Sequence, residues 1–153
     1  MDYTLRSAAS AELKVILTWI NSPHALMMWG GDLLTYPPEV EKTWREIGAD
    51  GGNTFAFVDA DGNIAGFGQT LPKEQGRVHL GRIIVSPDLR GQGLGRVLVR
   101  ALIDSALENF HPETITLNVY HDNLPAVRLY QSLGFEVVSE DEGQASLRMR
   151  LNG

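Results

Sequence analysis

Arg90-Gly91-Gln92-Gly93-Leu94-Gly95-Arg96 is the stretch on which the reading of this 153-residue chain turns. Upstream, Val78 to Val85 is a run of strand-forming residues that ends at the turn signal Ser86-Pro87. Downstream, Val97, Leu98, Ala101, Leu102, Ser105 and Ala106 recur at the spacing of one helix face, with Arg100, Asp104 and Glu108 opposite. A strand, a glycine-rich loop and a long amphipathic helix therefore follow one another between His79 and Glu108. Glycines let a backbone approach a ligand closely. A helix N-terminus aims unpaired N–H groups and the positive end of its dipole at the same spot. The guest predicted by such a loop is a phosphate group.

Elements on either side extend the pattern. Tyr3 to Ser7 reads as a first strand, and Ala11 to Ile20 as a helix with Leu13, Ile16, Leu17 and Ile20 on one face, stopped by Asn21-Ser22-Pro23. The segment from His24 to Tyr36 is a short helix and loop that either lines a cleft or fills the core with its Met and Trp side chains. Glu39 to Ile47 is helical, carrying Val40, Trp44 and Ile47. Thr54 to Asp59 and Asn63 to Leu71 are strands joined at Asp61-Gly62, a turn that requires positive φ angles. A third strand, Arg77 to Val85, completes an antiparallel meander. Thr114 to Tyr120 is a strand, Asn123 an N-cap, Pro125 a first-turn residue and Gly134 a C-cap of the next helix. Phe135 to Ser139 and Gln144 to Leu151 close the chain as a hairpin. A meander followed by strand, helix, strand, helix and strand predicts an α+β fold in a single domain over residues 1–153. The sheet is mixed and mostly antiparallel, with about six to seven strands and about four helices.

Spacing then discriminates among phosphate loops. A nucleoside-triphosphate loop requires Lys and then Ser or Thr after its last glycine, and Gly95 is followed by Arg96-Val97. A dinucleotide loop requires G-x-G-x-x-G near the first strand of a parallel sheet, whereas Gly91, Gly93 and Gly95 alternate strictly and follow the meander. Arg90-Gly91-Gln92-Gly93-Leu94-Gly95 instead resembles the signature of the GNAT superfamily of acyl-CoA-dependent N-acyltransferases. Asn123, Ala126, Leu129-Tyr130 and Gly134-Phe135 resemble that family's downstream pattern at the usual spacing. The resemblance covers about Val78 to Phe135. The segment from Ala11 to Ile47, where the family usually builds its acceptor site, matches nothing nameable.

The resemblance implies acetyl transfer from acetyl-CoA to a primary amine of a small molecule or peptide, by direct attack in a ternary complex. It implies that the N–H groups of Gly91, Gly93, Leu94, Gly95 and Arg96 hold the coenzyme A pyrophosphate, helped by the charges of Arg90 and Arg96. Ile83 and Val85 would pair with the pantetheine arm, an N–H near Val85 would face the developing oxyanion, and Asn123 would bond the arm or simply cap its helix. Gly81 within this strand hints at a bulge or close approach. Tyr130 matches the family's general acid, although a tyrosine on that helix face also fits a core position. His79, six residues before Val85, occupies the position at which one branch of the family carries a glutamate base. A protonated amine with a pKa of about 10.4 is neutral at pH 7 in only about one molecule in a thousand, so a base is needed, and imidazole near 6.5 suits. His121 and water are the other candidates for that role. Met28, Trp29 and Tyr36 suggest a partly apolar acceptor wall, and Asn118 is placed on the same side of its strand as Thr116. A non-catalytic acyl-CoA sensor is the alternative reading of the loop.

Composition sets the outer limits. Thirteen basic against nineteen acidic residues give a net charge of −6, which disfavours nucleic acid as partner. There is no cysteine, hence no disulfide framework, thiolate site or cysteine nucleophile, and His24, His79, His111 and His121 lack metal-ligand spacing, so no metal is expected. No signal-peptide pattern or apolar run of about 20 residues occurs, which predicts a cytoplasmic chain without a membrane partner. Dimerisation through the C-terminal strands is common in the family, and a homodimer stays open.

Overall fold

A computed structural model describes residues 2–31, 33–120, 122–140 and 146–152. In chain order its elements are β1 (Thr4–Ser7), α1 (Ser10–Thr18), α2 (Pro23–Gly30), α3 (Val40–Glu46), β2 (Thr54–Val58), β3 (Ile64–Pro72), β4 (Arg77–Val85), α4 (Leu94–Phe110), β5 (Thr114–Tyr120), α5 (Leu124–Ser132), β6 (Glu136–Glu140) and β7 (Ser146–Asn152). Short 3₁₀ turns occupy Ala49–Gly51 and Pro87–Leu89. The strands form one seven-stranded sheet in the order β1-β2-β3-β4-β5-β7-β6. Pairs β1/β2, β2/β3, β5/β7 and β6/β7 are antiparallel, and β4/β5 is parallel. This is the mixed, mostly antiparallel α+β fold the sequence predicts.

The chain packs as two compact units, Met1–Gln69 with Arg82–Ala101, and Thr70–Gly81 with Leu102–Gly153. In the first, Leu13 and Ile16 of α1, Leu26 and Trp29 of α2, Trp44 of α3, Ile47, Ala49 and Phe67 of β3 form a continuous buried cluster. Full burial of side chains such as Leu13 and Phe67 stabilises by about 1.5–3 kcal/mol each before chain entropy is subtracted. Glu12 joins β1 to α1: its carboxylate accepts two bonds from Arg6, at 2.7 and 2.5 Å, and one from the N–H of Ala9 at 2.8 Å. The Arg6 guanidinium is the main reason the Glu12 carboxyl lies below its ordinary pKa.

In the second unit, Ile115, Leu117 and Val119 of β5 and Leu147 and Met149 of β7 are buried, the alternation of a strand with one covered face. β5 pairs with β7 along its whole length, from Thr114 opposite Asn152 to Tyr120 opposite Ser146. Its parallel register with β4 sets Arg77, Val78, His79 and Leu80 opposite Thr114, Ile115, Thr116 and Leu117.

Local structure departs from the sequence expectation at three places. The α4 residues that are buried are Leu94, Leu98, Val99, Leu102, Ile103 and Ala106, while Val97 is exposed; the stripe is shifted from the expected one because Val99 and Ile103 share the inner face. Ser22-Pro23 starts α2 as well as ending the preceding turn: the Ser22 hydroxyl accepts from Ala25 N–H at 3.0 Å and proline takes the first helical position. The hairpin between β2 and β3 is wider than two residues. Only Gly62 has positive φ there, at 85°, and Asp59 organises the loop by accepting from the N–H groups of Asp61 and Asn63, each at 2.9 Å. The expected closing turn around residues 141–143 lies outside the described residues.

Gly66 of β3 carries a packing test. A Cβ there would approach Ile84 O and Leu98 Cδ2 to 3.0 Å each, closer than either contact tolerates. Gly66→Ala is therefore expected to lower stability by about 1–3 kcal/mol in denaturant unfolding, the range for overpacking. Unchanged stability would show that β3 and α4 are less tightly opposed.

Candidate active site

In the first unit the glycine loop is built as the sequence predicts. Gly91 and Gly93 have φ of 80° and 78°, a region closed to most residues, and a Cβ at either would meet nothing within 4 Å. Glycine is required there by backbone conformation, and the space above it is open. α4 starts at Leu94, so Gly95 and Arg96 belong to its first turn, where the N–H groups of Leu94 through Val97 have no acceptor within the helix. No acidic residue stands in that turn to compete for them. Arg90 turns back and donates from Nε to Val85 O at 3.2 Å, tying the loop to the end of β4. Ile83 and Val85 are part-buried on that strand.

The α2 segment divides into core and surface. Trp29 is 8% exposed, packs on Phe67 with ring centroids 5.9 Å apart, and donates its indole N–H to Arg82 O at 2.9 Å. Met28 and Tyr36 are exposed. The loop before α3 is held by Glu46, which accepts from the hydroxyl of Thr35 at 2.9 Å.

Arg82 and Gln69 are residues that the sequence reading passed over. Arg82 lies within β4 with φ of 51°, a left-handed conformation that costs a side chain with a Cβ about 1–2 kcal/mol. Its Nη1 donates to Gln69 Oε1 at 2.9 Å, while Gln69, fully buried, donates from Nε2 to Ile47 O and Thr54 Oγ1 at 3.0 Å each. A charge directly before the apolar run Ile83-Ile84-Val85 was the available signal.

In the second unit His79 stands beside Thr116: Nδ1 and Oγ1 are 2.9 Å apart, and Arg77 Nη1 donates to the same oxygen at 3.0 Å. Thr116 is buried. A hydroxyl has two lone pairs, so Thr116 can accept from Arg77 and from His79 Nδ1–H together, the tautomer in which Nε2 carries no proton. Neither Thr116 nor Arg77 was singled out from sequence, because their meeting depends on the β4/β5 register across 39 residues.

Tyr130 lies near the end of α5, part-buried, its ring edge-on to Phe135 with centroids 6.1 Å apart. Burial raises its phenol above the ordinary tyrosine pKa, so the proton is retained at neutral pH. Asn123 caps the other end of α5, accepting from Ala126 N–H at 3.4 Å, about 10 Å along the helix from Tyr130. Asn118 is exposed and accepts from Arg148 Nε at 3.5 Å. His121 lies outside the described residues. Among the described residues no group of three or more His, Asp or Glu side chains converges as a metal site, and no helix is long and apolar enough to cross a membrane.

Comparison with known proteins places this geometry. The family model described as acetyltransferase (GNAT) family matches residues 16–135, well over half of the chain. A spermine/spermidine N(1)-acetyltransferase of Bacillus subtilis is 36% identical over 67 residues, 44% of each chain, so the match spans less than half of that relative's length. The streptothricin acetyltransferase of Streptomyces lavendulae is 38% identical over 95 residues, 59% of this chain and 50% of the relative. The crystal structure of spermidine N-acetyltransferase from Vibrio cholerae, in complex with CoA and spermine, superposes with a TM-score of 0.79. It covers 98% of this chain and 95% of its own at 22% identity, a likeness of fold.

The raised Tyr130 pKa gives a spectroscopic prediction. On alkaline titration one tyrosine should ionise above the ordinary value of about 10, and that component should be missing in Tyr130→Phe. Loss of a normally titrating tyrosine in the variant instead would contradict the assignment.

Proposed function

The chain belongs to the acetyltransferase (GNAT) family, and we propose that it transfers an acetyl group from acetyl-CoA to a primary amine of a small molecule or peptide. The observation that carries this reading is the start of α4: a first turn whose N–H groups have no acceptor within the helix and no acidic residue beside them, entered through two left-handed glycines. Two phosphates of a pyrophosphate match that donor set in charge and in acceptor chemistry. The relatives named above, all acetyltransferases, add support, while their different acceptors leave the amine unassigned.

In this reading the N–H groups of Gly91, Gly93, Leu94, Gly95 and Arg96 bind the pyrophosphate. Arg96 contributes charge, while Arg90 holds the loop against Val85. Backbone groups of Ile83 and Val85 orient the pantetheine arm, with Asn123 at its side. Acetyl-CoA supplies an acyl group already activated as a thioester. His79 Nε2 takes a proton from the attacking amine nitrogen, and its Nδ1–H is held by Thr116. Tyr130 gives its proton to the sulfur as the carbon–sulfur bond breaks, so one proton is taken up and one delivered while the N-acyl bond forms. Met28 and Tyr36 offer exposed apolar surface to the acceptor. Homodimerisation is supported by β6, last in the sheet order with Val137 and Val138 exposed, and sedimentation velocity tests it.

Acetyl-CoA should raise the melting temperature of the wild-type chain in a concentration-dependent way, and Gly93→Ala should lose most of that shift. An unchanged melting temperature would remove the reading. His79→Gln should lower kcat/KM by about 10²–10⁴-fold and abolish the acidic limb of the pH profile, since a base works only when deprotonated. Thr116→Val should reproduce part of this loss and Thr116→Ser restore it. An unaltered profile in His79→Gln would exclude His79 as base.

A further inference from the structure

Arg82 holds a positive charge that no carboxylate among the described residues pairs with. Its side chain is part-buried, and its Nε is sealed from solvent without any hydrogen-bond partner. Among the described residues it forms no ion pair; its one side-chain bond goes to the neutral amide of Gln69. That amide cannot turn away, because both of its N–H donors are committed to Ile47 O and Thr54 Oγ1. Burial lowers the Arg82 pKa by taking water from the guanidinium. A guanidinium offers five donors in a planar fork, of which Gln69 uses one.

Its surroundings show which side of the chain the fork serves. A Cβ built on Gly30 would stand 3.8 Å from Arg82 Nε, so the guanidinium runs beside the C-terminus of α2. The carbonyl end of that short helix offsets part of the charge without supplying a paired acceptor. Trp29 fixes the backbone of Arg82 from the same helix. Burying an unpaired charge is costly, and an apolar side chain of similar volume would fill this space at less expense to stability. The left-handed φ of Arg82 adds to that cost. These contacts tie Arg82 to Gln69 of β3 and to α2, the helix whose Met28 the proposed function gives to the acceptor.

We infer that Arg82 is a receptor for a carboxylate on the acceptor, so that the substrate is an amine carrying an acidic group, such as an amino acid or the C-terminus of a short peptide, and not a polyamine. The inference rests on the N-acetyltransferase reading for its placement in the acceptor wall. A carboxylate matches the guanidinium edge in bidentate fashion, whereas a polycation would meet the same charge with repulsion. Specificity then arises from one residue: an acceptor without the acid leaves the guanidinium unpaired, and a site built around a buried polar group discriminates strongly against ligands that do not satisfy it.

The test uses the full chain with glycyl-leucine and glycyl-leucinamide, which differ only in the carboxylate, with spermidine as the polycation. Binding is measured by calorimetry in the presence of CoA, and transfer by acetyl-CoA-dependent kinetics. The wild type should favour the acid over the amide by about 10- to 100-fold, the range for one charged hydrogen-bonded pair. Arg82→Met should erase that ratio, chiefly through KM, and Arg82→Lys should keep part of it. A purely structural Arg82 would leave the ratio unmoved in Arg82→Met. Equal binding of acid and amide, binding of neither, a preference for spermidine, or a ratio that survives Arg82→Met each overturns the inference. Acid-selective, Arg82-dependent binding without any transfer would instead sink the transferase reading while the receptor stands. Transfer without selectivity would do the reverse.

Discussion

Everything proposed for this chain hangs on the first turn of α4, whose N–H groups have no helical acceptor and no acidic side chain to satisfy them. An N-cap serine or aspartate is the common solution to that problem, and this chain places a glycine there instead. Gly91 and Gly93 adopt left-handed φ, and the Arg90 bond to Val85 O fixes the loop to the end of β4. The space above both glycines is open. An anion of more than one charge is the guest that such an arrangement stabilises, through hydrogen bonds and dipole together.

Two further polar clusters follow the same logic at smaller scale. Thr116 is buried between Arg77 and His79, with an oxygen that both side chains reach. The bond to Thr116 holds the part-buried imidazole on β4, an interior strand, in one orientation. Arg82 is the opposite case, a charge whose one side-chain partner among the described residues is a neutral amide held in place. A satisfied network rigidifies, whereas an incomplete one marks a place where a ligand completes it. The first unit thus carries the loop proposed to bind an anion at α4 and the Arg82 guanidinium at β4, and the second carries His79 and Tyr130, the groups proposed for proton transfer.

Much of this was legible in the sequence, and the reasons differ by element. β5 and the start of α5 are marked by strict alternation and by Asn123 with Pro125, local signals that tertiary packing did not override. The glycine loop was legible because only glycine takes φ near 80° twice in three residues without strain. The width of the β2/β3 turn was not, since Asp59 rather than Asp61 organises it through bonds that a dipeptide signal does not encode. Thr116 and Arg82 were illegible for a deeper reason. Each takes its meaning from a neighbour on another strand, fixed by the β4/β5 register in one case and by the Gln69 amide in the other. Val97 and Val99 show the limit of periodicity itself: a turn of 100° per residue leaves the phase of a stripe uncertain by one position.

The central claim, direct transfer between two bound substrates, is tested most directly by initial velocities with acetyl-CoA and an accepted amine each varied. Attack within a ternary complex predicts intersecting double-reciprocal lines and one free thiol for each acetylated amine. Parallel lines, as for a covalent acyl-enzyme, or thiol release that is indifferent to the amine, would contradict it.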